Sequence, residues 1–220
     1  MPETVPIDPL VAALDVLNRQ GYEVTTVAEI ADATRISRST FFRRFGSKED
    51  VIFHDHELLL DTVERHLATT TADPLEAVTT AARMVFDHHV TRREVSVPRY
   101  ALLQTVPALR AREIVTANRY QNLLVAYLRR ALPDTPERYV GSLAYAAAIV
   151  AVHNSVLQHW LGDPARDGSV ELVAQLQVIV SWFRPLLLGQ TASHRVAVVA
   201  IPEGAGNAEI LGAIRAAGIS

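Results

Sequence analysis

The chain has 220 residues, enough for one sizeable core or for two smaller helical units on a continuous backbone. Hydrophobic residues make up 49% and charged residues 20%, a balance that excludes a disordered chain. The formal net charge of −3 gives no global support for nucleic-acid binding, so such a function has to rest on local charge.

The absence of cysteine removes disulfides, thiolate metal sites and cysteine nucleophiles together. The first residues, Met-Pro-Glu-Thr-Val-Pro, lack the basic and apolar regions of a secretory signal. No apolar run of about 18 residues or more is free of polar interruption. The expectation is a cytoplasmic protein without a membrane partner.

A first helix is expected from Ile7 to Gln20, where Leu10, Leu14 and Leu17 recur at helical spacing and Gly21 stands where a C-cap glycine belongs. Thr26-Val27-Ala28-Glu29 is a capping box and opens a short second helix to about Ala33. After a break at Thr34–Ser37, Ser37 caps a third helix carrying Arg38 to Phe45. Two short helices joined by a tight turn form a helix-turn-helix candidate. Ile36, Phe41 and Phe45 supply its buried stripe. Arg38, Ser39, Thr40, Phe42 and Arg44 are left to point outward, as residues that read base edges and phosphates must.

Local charge agrees. Between Ala33 and Lys48 stand five basic residues, Arg35, Arg38, Arg43, Arg44 and Lys48, and no acid. Gly46 then interrupts the chain, and Ser47 caps a fourth helix expected to run unbroken to about Leu67. Lys48, the single lysine among 21 basic residues, sits in its first turn, where a helix N-terminus and a cation make a phosphate clamp.

The segment Thr25–Val51, TTVAEIADATRISRSTFFRRFGSKEDV, resembles the DNA-binding signature of the TetR family of transcriptional regulators. The resemblance is close over roughly residues 7–55 and continues beyond them in helical layout only. It combines the Thr-Val cap, the Ile-Ala pair, Ser37, the Thr-Phe-aromatic run, Phe45 and Ser-Lys-Glu-Asp in one register. It implies a homodimer that binds double-stranded operator DNA and answers to a small-molecule effector, with no cofactor. Outward position, local charge and the resemblance together put Thr26, Arg35, Ser37, Arg38, Ser39, Thr40, Phe42, Arg43, Arg44 and Lys48 at DNA. Two positions depart from the family pattern. Arg35 stands where glycine is usual in the turn, and Phe42 replaces a tyrosine whose hydroxyl commonly reaches a phosphate.

Beyond the fourth helix, Asp73-Pro74 opens another through His88. Pro98 and Pro107 are expected to divide the middle into a short helix and a long one reaching about Leu132. Two long apolar helices follow, at about Glu137–Leu161 and Ser169–Leu188. Both are apolar on more than one face, so each needs a partner on two sides. In the family this pair forms the dimer interface. Arg195–Ile201 reads as a short strand-like run, residues 202–207 as a turn, and Ala208–Ala217 as helical.

The expected fold is all-α with about nine helices. A helix-turn-helix domain at residues 1–50 is followed by a helical effector-binding and dimerisation domain at residues 51–189, then by an atypical tail at residues 190–220.

The eight histidines raise a metal hypothesis, but His54 with His56, and His88 with His89, do not share helical faces and form no ready chelate. His54 and His56 lie near the junction of the two domains and could touch an effector. No Gly-x-Ser-x-Gly elbow and no glycine-rich phosphate loop supports an enzyme. The expected ligand contacts are polar residues on apolar helices: Arg99, Tyr100, Gln104, Asn118, Arg119, Tyr145, His153, Asn154 and Trp160, with Arg99 or Arg119 available for an anionic end. Two alternatives are a ligand-binding protein whose head contacts protein, and a metal-dependent helical enzyme.

Overall fold

A computed structural model describes residues 8–189. The strand-like run, turn and helix expected beyond residue 190 lie outside them. Among the described residues the chain forms ten helices and no strand: α1 (Pro9–Gln20), α2 (Val27–Ala33), α3 (Arg38–Arg44), α4 (Lys48–Ile52), α5 (His54–Thr69), α6 (Pro74–Thr91), α7 (Arg93–Thr105), α8 (Pro107–Ala131), α9 (Pro136–Gly162) and α10 (Gly168–Leu188).

The helix starts follow local chemistry. Asp8 accepts from the amide of Leu10 at 2.8 Å, with Pro9 in the first turn of α1. The capping box of Thr26 and Glu29 is complete. Ser37 accepts from the amide of Thr40 at 3.1 Å, and Ser47 from that of Asp50 at 3.0 Å. Asp73 caps α6 in the same way. The end of α2 is closed by Ile36, whose amide donates to the carbonyl of Ala31 at 3.0 Å. That closure requires a left-handed residue. Arg35 supplies it with φ +57°, the only non-glycine among the described residues with positive φ.

Two boundaries differ from the sequence expectation. The helix expected to run unbroken from Ser47 to Leu67 is interrupted at Phe53, whose φ of −110° and ψ of 11° separate α4 from α5. The interruption raises the helix number to ten. Its physical reason is the destination of the side chains. Val51, Ile52 and Phe53 all belong to the core of the head, while Leu59, Leu60 and Val63 belong to that of the body. Pro98 does not divide the middle segment: it lies inside α7, and the break comes earlier, at Arg92. Proline removes the donor for the carbonyl of residue 94, and Glu94 is exposed, so water can serve that oxygen.

The head core gathers Leu14, Leu17, Ile30, Phe41 and Ile52 and is completed by Val95, Leu102 and Leu103 of α7 and Leu109 of α8. The head is therefore seated on α7 rather than closed upon itself. The body core is built by α5, α6, α8, α9 and α10 around Phe86, Tyr145, Ile149, Leu172 and Leu176. Helices α9 and α10 are each long and apolar enough to cross a membrane. Here they pack on each other and on α6. A Cβ on Gly168 would come within 2.7 Å of the Phe86 ring, so only glycine fits that contact without a shift.

Candidate nucleic-acid interface and buried cavity

Helix α3 turns its apolar face inward through fully buried Phe41 and leaves Arg38, Ser39, Phe42, Arg43 and Arg44 exposed. Thr26, Arg35 and Ser37 are also exposed, and Thr40 is half-buried. Apart from half-buried Thr40, and Lys48 on α4, the residues expected at DNA are thus exposed on the capped helix pair and its turn. Phe42 is 44% exposed, and the Arg38 guanidinium lies 5.6 Å from its ring centre. Without a tyrosine hydroxyl, this position offers an apolar edge flanked by a cation.

Lys48 differs from a free clamp. Its Nζ donates to the carbonyl of Tyr22 at 2.7 Å and to that of Thr25 at 3.4 Å, 3.9 Å from the centre of the Tyr22 ring. The Tyr22 hydroxyl donates to the Glu49 carboxylate. Lys48 and Glu49 therefore fasten α4 to the connection between α1 and α2, which fixes the head as a unit.

Within the body, α5 to α9 line a cavity of about 90 Å³, room for several waters or part of a small ligand. Its wall is largely aliphatic, including Val63, Val85, Leu124, Ile149, Val150 and Leu157. Polar groups interrupt it at His56, His89, Ser96, Arg99, Tyr100, Glu113, Thr116, Tyr120, His153 and Asn154. Phe53 lines the cavity as well, so one residue belongs to both the head core and the cavity wall.

Of the expected ligand contacts, Arg99, Tyr100, His153 and Asn154 reach this cavity. Gln104 and Asn118 are exposed off its lining, with Asn118 accepting from Asn122 at 2.9 Å. Arg119 is also outside it, donating to Glu57 on the surface at 2.7 Å. Tyr145 and Trp160 are buried in the body core instead. The Tyr145 hydroxyl donates to the carbonyl of Leu75 at 3.0 Å, and Trp160 packs against Phe86. Each of these five has its polar group already served or its face turned elsewhere, which helical periodicity cannot show.

His56, one of the two histidines expected near an effector, lines the cavity, and His89, Ser96, Glu113, Thr116 and Tyr120 line it beyond the expected contacts, with the His56 and His89 rings 5.3 Å apart. A signal existed: Phe53, His56, Leu60 and Val63 share one helical stripe, as do Ala82, Val85 and His89. The other member of each histidine pair points away. His54 packs on the Phe45 ring, and His88 meets the Asp55 carboxylate at 3.0 Å. Among the described residues no three His, Cys, Asp or Glu side chains are grouped to hold a metal ion.

Asp55, Arg99 and His56 form one buried hydrogen-bonded group, of which Arg99 and His56 reach the cavity lining. Arg99 donates from Nη2 to Asp55 at 2.6 Å and from Nη1 to His56 Nε2 at 2.9 Å. Accepting through Nε2, the neutral His56 carries its proton on Nδ1, 3.2 Å from the Tyr120 hydroxyl. Burial pushes the Asp55 carboxyl up, but the His88 hydrogen bond and the Arg99 charge together hold it well below the usual carboxylate range. Burial, aided by Arg99, presses His56 down to about 3. Burial also drives His89 and His153 below the usual histidine value. Burial raises Glu113 in spite of Arg99. The site therefore holds one permanent cation, already matched by a carboxylate, and three neutral imidazoles.

Known proteins match both parts of the chain. The family model described as bacterial regulatory proteins of the tetR family matches residues 10–54, and that described as the MftR C-terminal domain matches residues 72–184, just over half of the chain. The HTH-type transcriptional regulator TcmR of Streptomyces glaucescens is 39% identical over 75 residues, which are 33% of this chain and 33% of that protein. The chain is thus matched over about a third of that relative's length. Among solved structures, the fatty acid degradation regulator FadR of Bacillus halodurans superposes with a TM-score of 0.59 at 20% identity, over 79% of this chain and 97% of that one. FadR of Bacillus subtilis, in complex with stearoyl-CoA, gives 0.58 at 18% identity, over 79% and 97%. At these identities the superpositions establish a common fold. The chain belongs to the TetR family of bacterial regulatory proteins.

Proposed function

We propose that this protein is a cytoplasmic, dimeric repressor whose head at residues 1–50 binds palindromic operator DNA. A mostly apolar small molecule in the body, residues 51–189, releases it. The observation that carries this reading is the double membership of Phe53 in the head core and the cavity wall. A ligand that displaces the Phe53 ring changes the seat of α4, and with it the angle at which α3 is presented. The break at Phe53 replaces a continuous rod by a joint, so the signal passes through packing at one residue rather than through the tilt of a single helix.

Two identical heads related by a two-fold axis read half-sites of opposite orientation. The dimer is supported by the exposed apolar face of α9 and α10, where Val140 is 62% exposed and Val170 and Trp182 are each 66% exposed. Both arginines expected to receive an anionic end are already engaged, Arg99 by Asp55 and Arg119 by Glu57. The effector reading accordingly rests on the apolar wall.

The test is to select bound sequences from a random DNA pool and then titrate the selected site with salt. An inverted repeat is expected, with affinity falling steeply as salt rises. A motif without inverted symmetry, or salt-insensitive binding, overturns the DNA reading and favours a head that contacts protein. Phe53→Leu, which keeps an apolar side chain in the head core, should retain DNA binding and weaken the response to any ligand that releases the parent protein.

A further inference from the structure

Two buried polar atoms on residues that line this cavity have no hydrogen-bond partner. Arg99 and His153 are buried, at 3% and 7% exposure, and the Nε of Arg99 and the Nε2 of His153 are both unpaired. Both residues line the cavity, and the His89 ring stands between their surroundings, 5.3 Å from His56 and 6.5 Å from His153. Buried polar atoms are almost always satisfied, and two orphans on residues of one cavity lining mark where a ligand's polar atoms find partners.

Their chemistry is opposite. Arg99 Nε–H is a donor and requires an acceptor. His153 Nδ1 lies 3.0 Å from Asn154 Oδ1, an oxygen that only accepts, so Nδ1 carries the ring proton and Nε2 presents a lone pair. That atom requires a donor. We propose that the cavity selects an uncharged, mainly apolar molecule bearing a carbonyl-type acceptor for Arg99 Nε–H and a hydroxyl donor for His153 Nε2.

Charge argues for neutrality. Arg99, the one cation on the lining, is matched from behind the wall by Asp55 at 2.6 Å, and the one carboxyl group on the lining is Glu113. A carboxylate would enter a space whose formal charge is already zero or negative. The imidazoles of His56 and His89 add no charge, since burial holds both neutral. The inference rests on the reading of this cavity as the effector site and adds the class of effector.

The test is calorimetric titration of the full chain with hydroxyaryl ketones of increasing length, from 4-hydroxyacetophenone through 4-hydroxybenzophenone to 4′-hydroxychalcone. Each is compared with its methyl ether, its deoxygenated phenol, and analogues in which the hydroxyl is replaced by carboxylate or aminomethyl. At least one hydroxyketone should bind, with its ether and its ketone-free phenol each about tenfold weaker or more, the effect of one lost buried hydrogen bond. His153→Leu should erase the preference for hydroxyl over ether while leaving apolar binding in place. Because the ligand series is read on the unaltered protein, the outcome does not depend on the variant folding. Equal binding of ether and hydroxyl, tighter binding of carboxylate or amine, or silence across the series overturns the inference. A carboxylate that binds and releases DNA leaves the repressor reading standing. DNA binding that no ligand class alters removes that reading instead.

Discussion

Arg99 on α7 donates to Asp55 on α5 at 2.6 Å, just beyond the joint at Phe53, and both side chains are buried. The pair therefore joins the element that seats the head to the element that follows the joint. Removing one partner strands the other. Asp55→Asn leaves a buried guanidinium without its counter-charge and is expected to cost about 3–5 kcal/mol. Urea denaturation of the purified variant measures it, and a loss below about 1 kcal/mol would show that the pair is not a structural tie.

Stability should fall with pH from about the ordinary histidine value downward. The folded pKa values of His56, His89 and His153 are lowered, His56 to about 3. Below the unfolded value, near 6.5, the unfolded chain binds protons that the folded chain refuses, and stability drops as pH drops. The slope is roughly 1.4 kcal/mol per pH unit for each histidine. Asp55 acts in the same direction at lower pH: its depressed value contributes stability above the unfolded value, near 3.8, which is lost on further acidification. Urea midpoints between pH 7.5 and 4.5 test this, and His153→Leu should reduce the slope by about one proton. A pH-independent midpoint over that range would contradict buried neutral imidazoles.

Arg35 holds a left-handed backbone at φ +57°. For a side-chain-bearing residue this conformation costs roughly 1–2 kcal/mol, and glycine removes the strain while gaining freedom in the unfolded chain. Arg35→Gly is expected to stabilise the protein by about 1 kcal/mol or less. If the exposed guanidinium serves a phosphate, the same change flattens the salt dependence of DNA binding by about one unit per subunit. Higher stability with an unchanged salt slope would assign Arg35 to the turn alone.

Arg44 and Lys48 should fail differently. Arg44 is exposed on α3, so Arg44→Ala is expected to relax base preference, at about 1–3 kcal/mol for a lost base contact. Lys48 holds the carbonyls of Tyr22 and Thr25, so Lys48→Ala should weaken binding to every sequence alike and also lower the melting temperature. Affinities on selected and random DNA, measured beside thermal melts, separate the two. Equal losses on both DNAs for both variants would remove the division of roles.

Trp182 is 66% exposed in the isolated chain, so Trp182→Glu should leave the fold intact and abolish dimerisation. Sedimentation is expected to show a folded monomer. A folded dimer would move the interface away from α10.

The helix starts of the head were legible because caps are local. Thr26 with Glu29, Ser37 and Ser47 each serve amides within three residues, and no distant partner changes that chemistry. The outward set on α3 was legible for the same reason, since Phe41 and the arginines are sorted by one helical period. Pro98 and Phe53 were misread because their effect depends on surroundings. A proline ends a helix only where the carbonyl it deprives has no other donor, and Phe53 interrupts one because its ring is needed in the head core. The cavity lay further from view. Arg99 and His153 carry the right side chains in the sequence. That Arg99 is matched by Asp55, from 44 residues earlier, and that Tyr145 spends its hydroxyl on Leu75, from 70 residues earlier, are facts of packing. Sequence by itself determined the all-helical class, the capped head and its basic face, because hydrogen bonds and periodicities of a few residues decide them. The joint at Phe53, the engagement of Lys48 and the polar atoms left unpaired on the cavity's lining residues were decided only by tertiary structure, which alone sets which donor meets which acceptor across the fold.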